Sequence, residues 1–398
     1  MKFPTLNPSL RYHFSGLLCI NLFAQALMAA EVPEGVWVRE GYTLSVAVDS
    51  IRKPRFMALD ERGGMFVSVP SEGTIYRCED KDGDGHYESK TTFLEGYESG
   101  KVLQGVQFYD GSLWCADMNH IYRATDRDQD GKAEEVKVIV GEDQLPITGG
   151  GHKWRALLIH QDRIYTHVGD QSNATDEPIT ENDRKKIWTF ALDGSGKELF
   201  ATGIRNTEKL VVRPGSDEIW GVDHDIDTLA TKWESKQPQW GQPITDHNPP
   251  AELNHYVKGG FYGHPYILGK NMPNLNFLEH PDLLEMASKN IIPEWLFPAH
   301  CSGNGMCFYQ GDAIPGAQGD AFVAFKGGWN ATKKVGYRVS RILFDEGHPY
   351  GELKIVDFLK DGSEILGRPT DCIEAPDGSL LFSDDTGHRI YRLRASQP

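Results

Sequence analysis

Only six cysteines occur in 398 residues, and none is spaced CxxC or CxxCH. Without those spacings the chain offers no zinc ribbon and no attachment site for a c-type haem. Positive charge is short as well. Lysine and arginine number 41 against 57 aspartates and glutamates, and the net charge of −16 argues against nucleic acid or an anionic membrane surface as a partner. Beyond residue 30 no apolar run is long enough to span a bilayer. Helical periodicity is scarce, with "HPDLLEMASKN" (280–290) its best instance.

The first 30 residues stand apart. Lys2 and Arg11 precede an apolar stretch from Leu17 to Ala30, which is short for a membrane span and reads as an export signal cleaved near Ala30. The mature chain, 31–398, is then expected in the periplasm or outside the cell. Cys19 leaves with the signal, and Cys78, Cys115, Cys301, Cys307 and Cys372 remain. This odd set allows at most two disulfides, for which Cys78–Cys115 and Cys301–Cys307 are candidates; buried reduced thiols are the equal alternative.

What the chain has in abundance is turns, with 42 glycines and 22 prolines, as in a β-rich protein. A unit of apolar run, turn, apolar run and Ile-Tyr-Arg-like strand recurs about six times. It starts with "RFMALDERGGMFVSVPSEGTIYRCEDKDGDG" and "LQGVQFYDGSLWCADMNHIYRATDRDQDG" and ends with "PTDCIEAPDGSLLFSDDTGHRIYRLR". Each unit supplies short strands parted by Asp-Gly or Gly-x turns, as a four-stranded antiparallel blade requires. The expected fold is therefore all-β, a six-bladed β-propeller in one domain. The stretch "YTLSVAVDS" (42–50) is suited to complete the last blade and close the ring. Residues 229–300, rich in Trp, Pro and Asn, read as long loops on one face.

Two loops share the pattern DxDxDGxxE: Asp80, Asp82, Asp84, Gly85, Glu88 and Asp126, Asp128, Asp130, Gly131, Glu134. Alternate carboxylates around a glycine turn can converge on Ca²⁺, yet Thr91 and Lys137 stand where an EF-hand has its last glutamate. A plain solvated hairpin tip is the even alternative.

Further candidates lie just before or after strands. His152 sits in "GGGHKWR", where glycines let the backbone approach a ligand closely. Arg205 and Asn206 begin "RNTEKL", Lys326 ends a strand before two glycines, and Arg368 opens the last repeat. Each has an ordinary structural explanation alone: a loop histidine, an Arg-Asn corner, a solvated lysine. The segment leading into each blade's innermost strand lies near the propeller axis, however, so equivalent offsets meet at one mouth. His152, Arg205, Asn206, Lys326 and Arg368 would then form a funnel for a polyanionic cofactor beside a proton-abstracting histidine.

At these residues the chain resembles the soluble quinoprotein glucose and sorbosone dehydrogenases, six-bladed propellers that bind pyrroloquinoline quinone (PQQ). The likeness rests on an ordered set: "HKWRALLIHQDRIYTHVGDQSN", "GIRNTEKLVVRPGSDEIWGVDH", "ELNHYVKGGFYGHPYILG", "GDAFVAFKGGWN" and "GRPTDCIEAPDGSLLFSDD". The resemblance implies that His152 is the general base taking the sugar hydroxyl proton. It further implies that Arg205, Asn206, Lys326 and Arg368 hold the quinone, and that a Ca²⁺ near "DHDID", with Asp223 and Asp225, polarises it. The substrate would be an aldose or related sugar aldehyde, with electrons passing to a soluble acceptor such as a cytochrome c. The chain departs from the family pattern at Thr370, where a second arginine often stands, at Lys209, where glycine is usual, and at Asp225-Ile226-Asp227 after the His. A propeller that has lost the cofactor and recognises carbohydrate or protein is the competing class. A lactonase-like metal hydrolase is a third, and it would need Glu, Asn and Asp on the axis.

Overall fold

A computed structural model describes residues 31–97, 103–147, 150–176, 182–229 and 243–396; the expected export signal lies outside them. Six sheets, each with a core of four antiparallel strands, surround one axis, and Gly260–Phe261 adds a short parallel strand to the outer edge of the third. Blade 1 contains Met57–Leu59, Met65–Val69, Thr74–Glu79 and Ser89–Leu94, and blade 2 runs from Gly105–Tyr109 to Glu135–Val140. Blade 3 begins at Arg155–His160, blade 4 at Val211–Val212, blade 5 at Gly303–Phe308 and blade 6 at Pro369–Glu374. The six-bladed all-β fold expected from the repeats is the fold observed.

Local chemistry explains the strand pairing. In blade 2 the Asp110-Gly111 turn has φ of +48° and +68°, the left-handed pair that suits a tight hairpin and matches the twist of its strands. The ring closes through Tyr42–Val48, which pairs antiparallel with Arg389–Ala395, Tyr42 opposite Ala395. Three strands of blade 6 thus come from the end of the chain and one from its start, which covers an open edge and ties the ring shut.

Both faces of a blade are buried, because each packs on a neighbour. Blades 1 and 2 share a cluster with Phe66, Phe93 and Leu113, and blades 5 and 6 one with Phe322, Phe358 and Phe382. This is why strands such as "MFVSV" are buried at every position and read as continuous apolar runs. Each such phenylalanine contributes about 1.5–3 kcal/mol by leaving water.

Two expectations need correction. No disulfide forms: all five described cysteines are free. Cys78 faces the space between blades 6 and 1 while Cys115 faces that between blades 1 and 2; Cys301 and Cys307 likewise belong to different inter-blade clusters. Burial pushes the Cys78 and Cys301 thiols up to about 12, so they stay protonated, the reduced alternative. Residues 229–300 are not all loop, since Ala251–Tyr256 and Trp295–Phe297 complete blade 4. Between them lies the expected helix, Leu283–Lys289. Among the described residues no helix is long and apolar enough to cross a membrane.

Candidate active site

A cavity of about 290 Å³ opens at one end of the axis. His152, Arg205, Asn206, Lys326 and Arg368 all line it, as do Asp225 and His224. Each lies before the first strand of a blade or after its second, and antiparallel topology puts both connections at the same end. The two acidic loops join third to fourth strands and so sit at the opposite end.

His152 adopts φ +44° beside Gly150 at +78°. The close approach is also built on Gly169, where an added methyl would stand 2.6 Å from the Arg205 carbonyl oxygen and 2.7 Å from His152 Cβ. The glycines therefore let three connections converge on one ring. His152 Nδ1 lies 2.7 Å from the Asp170 carbonyl oxygen, which fixes Nδ1 as the protonated nitrogen and leaves Nε2 as the lone-pair nitrogen. Burial, then the Arg205 charge, lowers this imidazole to about 4, so it is neutral at pH 7 and able to accept a proton.

Asp170 is itself anchored. Its carboxylate lies 2.7 Å from His264 Nε2 and accepts from the Ser172 and Thr175 amides. Burial would raise it, but His264 and these donors hold it well below the usual carboxylate range. Arg155, from the same motif, does not face the cavity; it donates to the Asp117 and Met118 carbonyls and ties blade 3 to blade 2.

Asp223 holds the Arg-Asn segment in place. It accepts from the Arg205 amide at 2.8 Å and the Asn206 amide at 2.6 Å, so it supports the cavity wall and is not among its lining residues. The Arg205 guanidinium donates to Asn173 and to the His224 carbonyl. Two oxygens beside it stay unsatisfied: Asn206 Oδ1 and Asp225 Oδ2 are buried without a hydrogen-bond partner. Hard oxygens left bare at a cavity suit a Ca²⁺ ion.

The cations come with their own counter-charges. Lys326 Nζ stands 2.6 Å from Asp385 Oδ2, and Arg205 is 3.6 Å from Asp227. Arg368 donates to the Lys326 and Gly327 carbonyls. Burial, then the charge of Arg55, pulls Lys326 down to about 8.

Reading the sequence missed Arg55, a lining residue 2.5 Å from Glu208 with both side chains 4% exposed. Arg55 precedes the first strand of blade 1 just as Arg368 precedes that of blade 6, so the repeat offset was the available signal. Trp154, under the Arg55 guanidinium at 4.2 Å, and the 75% exposed Trp329 were also missed. Of the departures, Thr370 is fully buried and donates to the Arg368 carbonyl. Lys209 lines the other mouth of the channel and binds Asp371 at 2.5 Å across the axis.

The acidic loops do bring their carboxylates together. In each, Asp80, Asp82, Asp84 and Glu88, or Asp126, Asp128, Asp130 and Glu134, offer oxygens within 4.8 Å of one another. Their own turns also satisfy them: Asp80 accepts from the Gly83 and Gly85 amides, and Asp126 from Gly131.

Fold and cavity together define a six-bladed propeller with a cation-lined axial pocket beside a neutral histidine. The chain belongs to the TrAA12-like family, whose profile matches residues 36–274 and 284–374. It is 27% identical over 414 aligned positions, 97% of this chain and 98% of the relative, to an uncharacterized protein of Borreliella burgdorferi. Among solved structures it is similar to the holo form of the pyranose dehydrogenase PQQ domain from Coprinopsis cinerea, with a TM-score of 0.76 at 16% identity, covering 92% of this chain and 99% of that one. It is similar also to the calcium structure of a Trichoderma reesei carbohydrate-active enzyme of family AA12, with a TM-score of 0.75 at 18% identity, covering 92% and 98%. These likenesses establish the fold.

Proposed function

We propose that the protein is an exported sugar oxidoreductase that uses PQQ and Ca²⁺ to oxidise an aldose or related sugar aldehyde. The observation that carries this reading is His152: a half-buried, neutral imidazole with Nδ1 committed to Asp170, on the wall of a cavity that also presents Arg55, Arg205, Lys326 and Arg368. A neutral base beside convergent cations suits proton removal from an alcohol next to an anionic acceptor. The names of the Coprinopsis and Trichoderma proteins, which carry PQQ and calcium, point the same way.

When bound, the quinone supplies a two-electron acceptor and Ca²⁺ a Lewis acid for its carbonyl. The protein's own contribution is positional. Arg205, Lys326 and Arg368 would hold carboxylates of the cofactor, with Asn206 beside Arg205, and Asp225 would supply oxygen to the cation. His152 Nε2 would take the proton from the hydroxyl oxygen while the hydride on the carbon bearing it goes to the two-electron acceptor, so the sugar loses one proton and one hydride, two electrons in all. The Asp170 carbonyl keeps Nδ1 protonated and stabilises the imidazolium that forms. With no attached haem, electrons then pass to a separate soluble acceptor such as a cytochrome c.

Purified mature protein titrated with PQQ and Ca²⁺, then mixed with a panel of aldoses, tests this. Optical reduction of the quinone that depends on sugar is the expected result. No PQQ binding at millimolar Ca²⁺ would leave a recognition propeller.

A further inference from the structure

Lys326 and Arg55 both line the cavity and carry like charge, and after burial the Arg55 charge is the next cause of the depressed Lys326 value. One carboxylate oxygen stands between them: Asp385 Oδ2 is 2.6 Å from Lys326 Nζ and 3.6 Å from Arg55 Nη1. Both cations line the cavity, whereas Asp385, its side chain 13% exposed, is not among the lining residues. Its other oxygen accepts from the Thr386 hydroxyl at 3.0 Å.

The turn that carries Asp385 is fixed independently. Asp384 accepts from the Arg368, Thr386 and Gly387 amides at 2.7, 3.1 and 2.9 Å. The same turn thus orders the segment of Arg368 and aims Asp385. Around Lys326 the charged groups from packed elements are Arg55 of blade 1, Glu208 before blade 4, Asp385 of blade 6 and Arg368, whose guanidinium holds the Lys326 carbonyl. Glu208 is already committed to Arg55 and Gln104 at 2.5 and 3.1 Å, which leaves Asp385 as the direct carboxylate partner of Lys326.

We infer that Asp385 is a positioning residue, a clamp that holds Lys326 and Arg55 side by side so that both meet an anionic ligand in the charged state. The inference rests on the cofactor reading above for its ligand and adds the element that keeps the cation pair assembled. A buried guanidinium and a half-buried ammonium repel, and a shared counter-ion is what lets them coexist. Removing that carboxylate takes away a charge and a hydrogen bond that both favour the ammonium, so Lys326 gives up its proton at lower pH.

The test is Asp385→Asn, which keeps size and the capacity to bond Thr386, read by PQQ binding to the cofactor-free protein through tryptophan-fluorescence quenching, without turnover. Between pH 5.5 and 7.5 wild-type affinity is expected to change about twofold or less, and that of Asp385→Asn to weaken about tenfold. Lys326→Arg in the Asp385→Asn background restores a flat profile, because arginine keeps its charge. An Asp385→Asn protein with the wild-type pH profile, or with tighter binding throughout, overturns the clamp. Asp385→Ser serves in its place if the asparagine variant does not fold. Amine-labelling rates of Lys326 across the same pH range, mapped by mass spectrometry, need no cofactor. If PQQ binds no variant, the cofactor reading falls, while unchanged Lys326 labelling in Asp385→Asn sinks the clamp and earlier labelling supports it.

Discussion

Aspartates recur at matched positions at both ends of this propeller, but they do different work. At the cavity end Asp170, Asp223, Asp227 and Asp385 are buried wholly or in part, and each binds a group from another connection: His264, the Arg205 and Asn206 amides, Arg205, and the Lys326–Arg55 pair. At the far end Asp80 and Asp126 accept amides of their own turns, and Asp82, Asp84, Asp128 and Asp130 are exposed. A charge in water needs no partner, whereas a charge removed from water must be given one. Desolvation therefore turns the same residue type from a turn-former into an organiser of a site.

The comparison is broken first where the effect is largest. His152→Gln is expected to lower turnover about 10²–10⁴-fold while PQQ binding stays near wild type; steady-state rates alongside a quinone titration decide it, and equal activity ends the assignment of the base. Next, Arg55→Met strands Glu208, whose side chain is 4% exposed. A loss of about 3–5 kcal/mol in denaturant melts is expected, most of it recovered by adding Glu208→Leu. A loss below about 1 kcal/mol would show that water reaches the pair.

The pH dependence sharpens the contrast further. Protonated His152 cannot take a proton, and burial delays its protonation from the ordinary 6.5 to about 4; the acid limb of turnover should therefore fall near pH 4. For stability the signs oppose. His152, His167 and His264, all lowered to about 4, bind fewer protons than the unfolded chain between pH 6.5 and 4, so stability falls as pH drops through that window. Glu252, pushed up to about 8 by burial and then by Asp223, keeps its proton in the fold and loses stability as pH rises from 4.5 to 8. Glu252→Gln should thus gain melting temperature over wild type progressively between pH 5 and pH 8; a constant offset would contradict the shift. The smallest effect belongs to the exposed end, where Asp82→Asn and Asp128→Asn are expected to change calcium-free stability by less than about 0.5 kcal/mol.

Much of the fold was legible because a propeller repeats. Asp-Gly turns, apolar runs and a recurrent Ile-Tyr-Arg strand mark each blade, and Tyr42–Val48 was recognisable as the closing strand. Blade 4 was harder to read: Ala251–Tyr256 is separated from Ile219–Asp223 by a long insertion and looked like loop. The cysteines misled because spacing along the chain says nothing about which inter-blade space a side chain enters. At the site, residues in distinctive motifs, His152, Arg205, Asn206, Lys326 and Arg368, were found. Arg55, Glu208 and Asp385 were not: Glu208 and Asp385 lie inside the quoted motifs and Arg55 at the repeat offset, but the part each plays depends on a partner 49 to 330 residues away, Arg55 with Gln104 and Asp385, for instance, or Glu208 with Arg55.

Local turn chemistry and strand pattern, both readable along the chain, set the blade count, the closure of the ring and the connections that reach the axis. Tertiary structure alone decided which charges face each other there. Pairings such as Arg55 with Glu208, Lys209 with Asp371 and Lys326 with Asp385 join different blades, so they exist only once the ring has closed and water has left its centre.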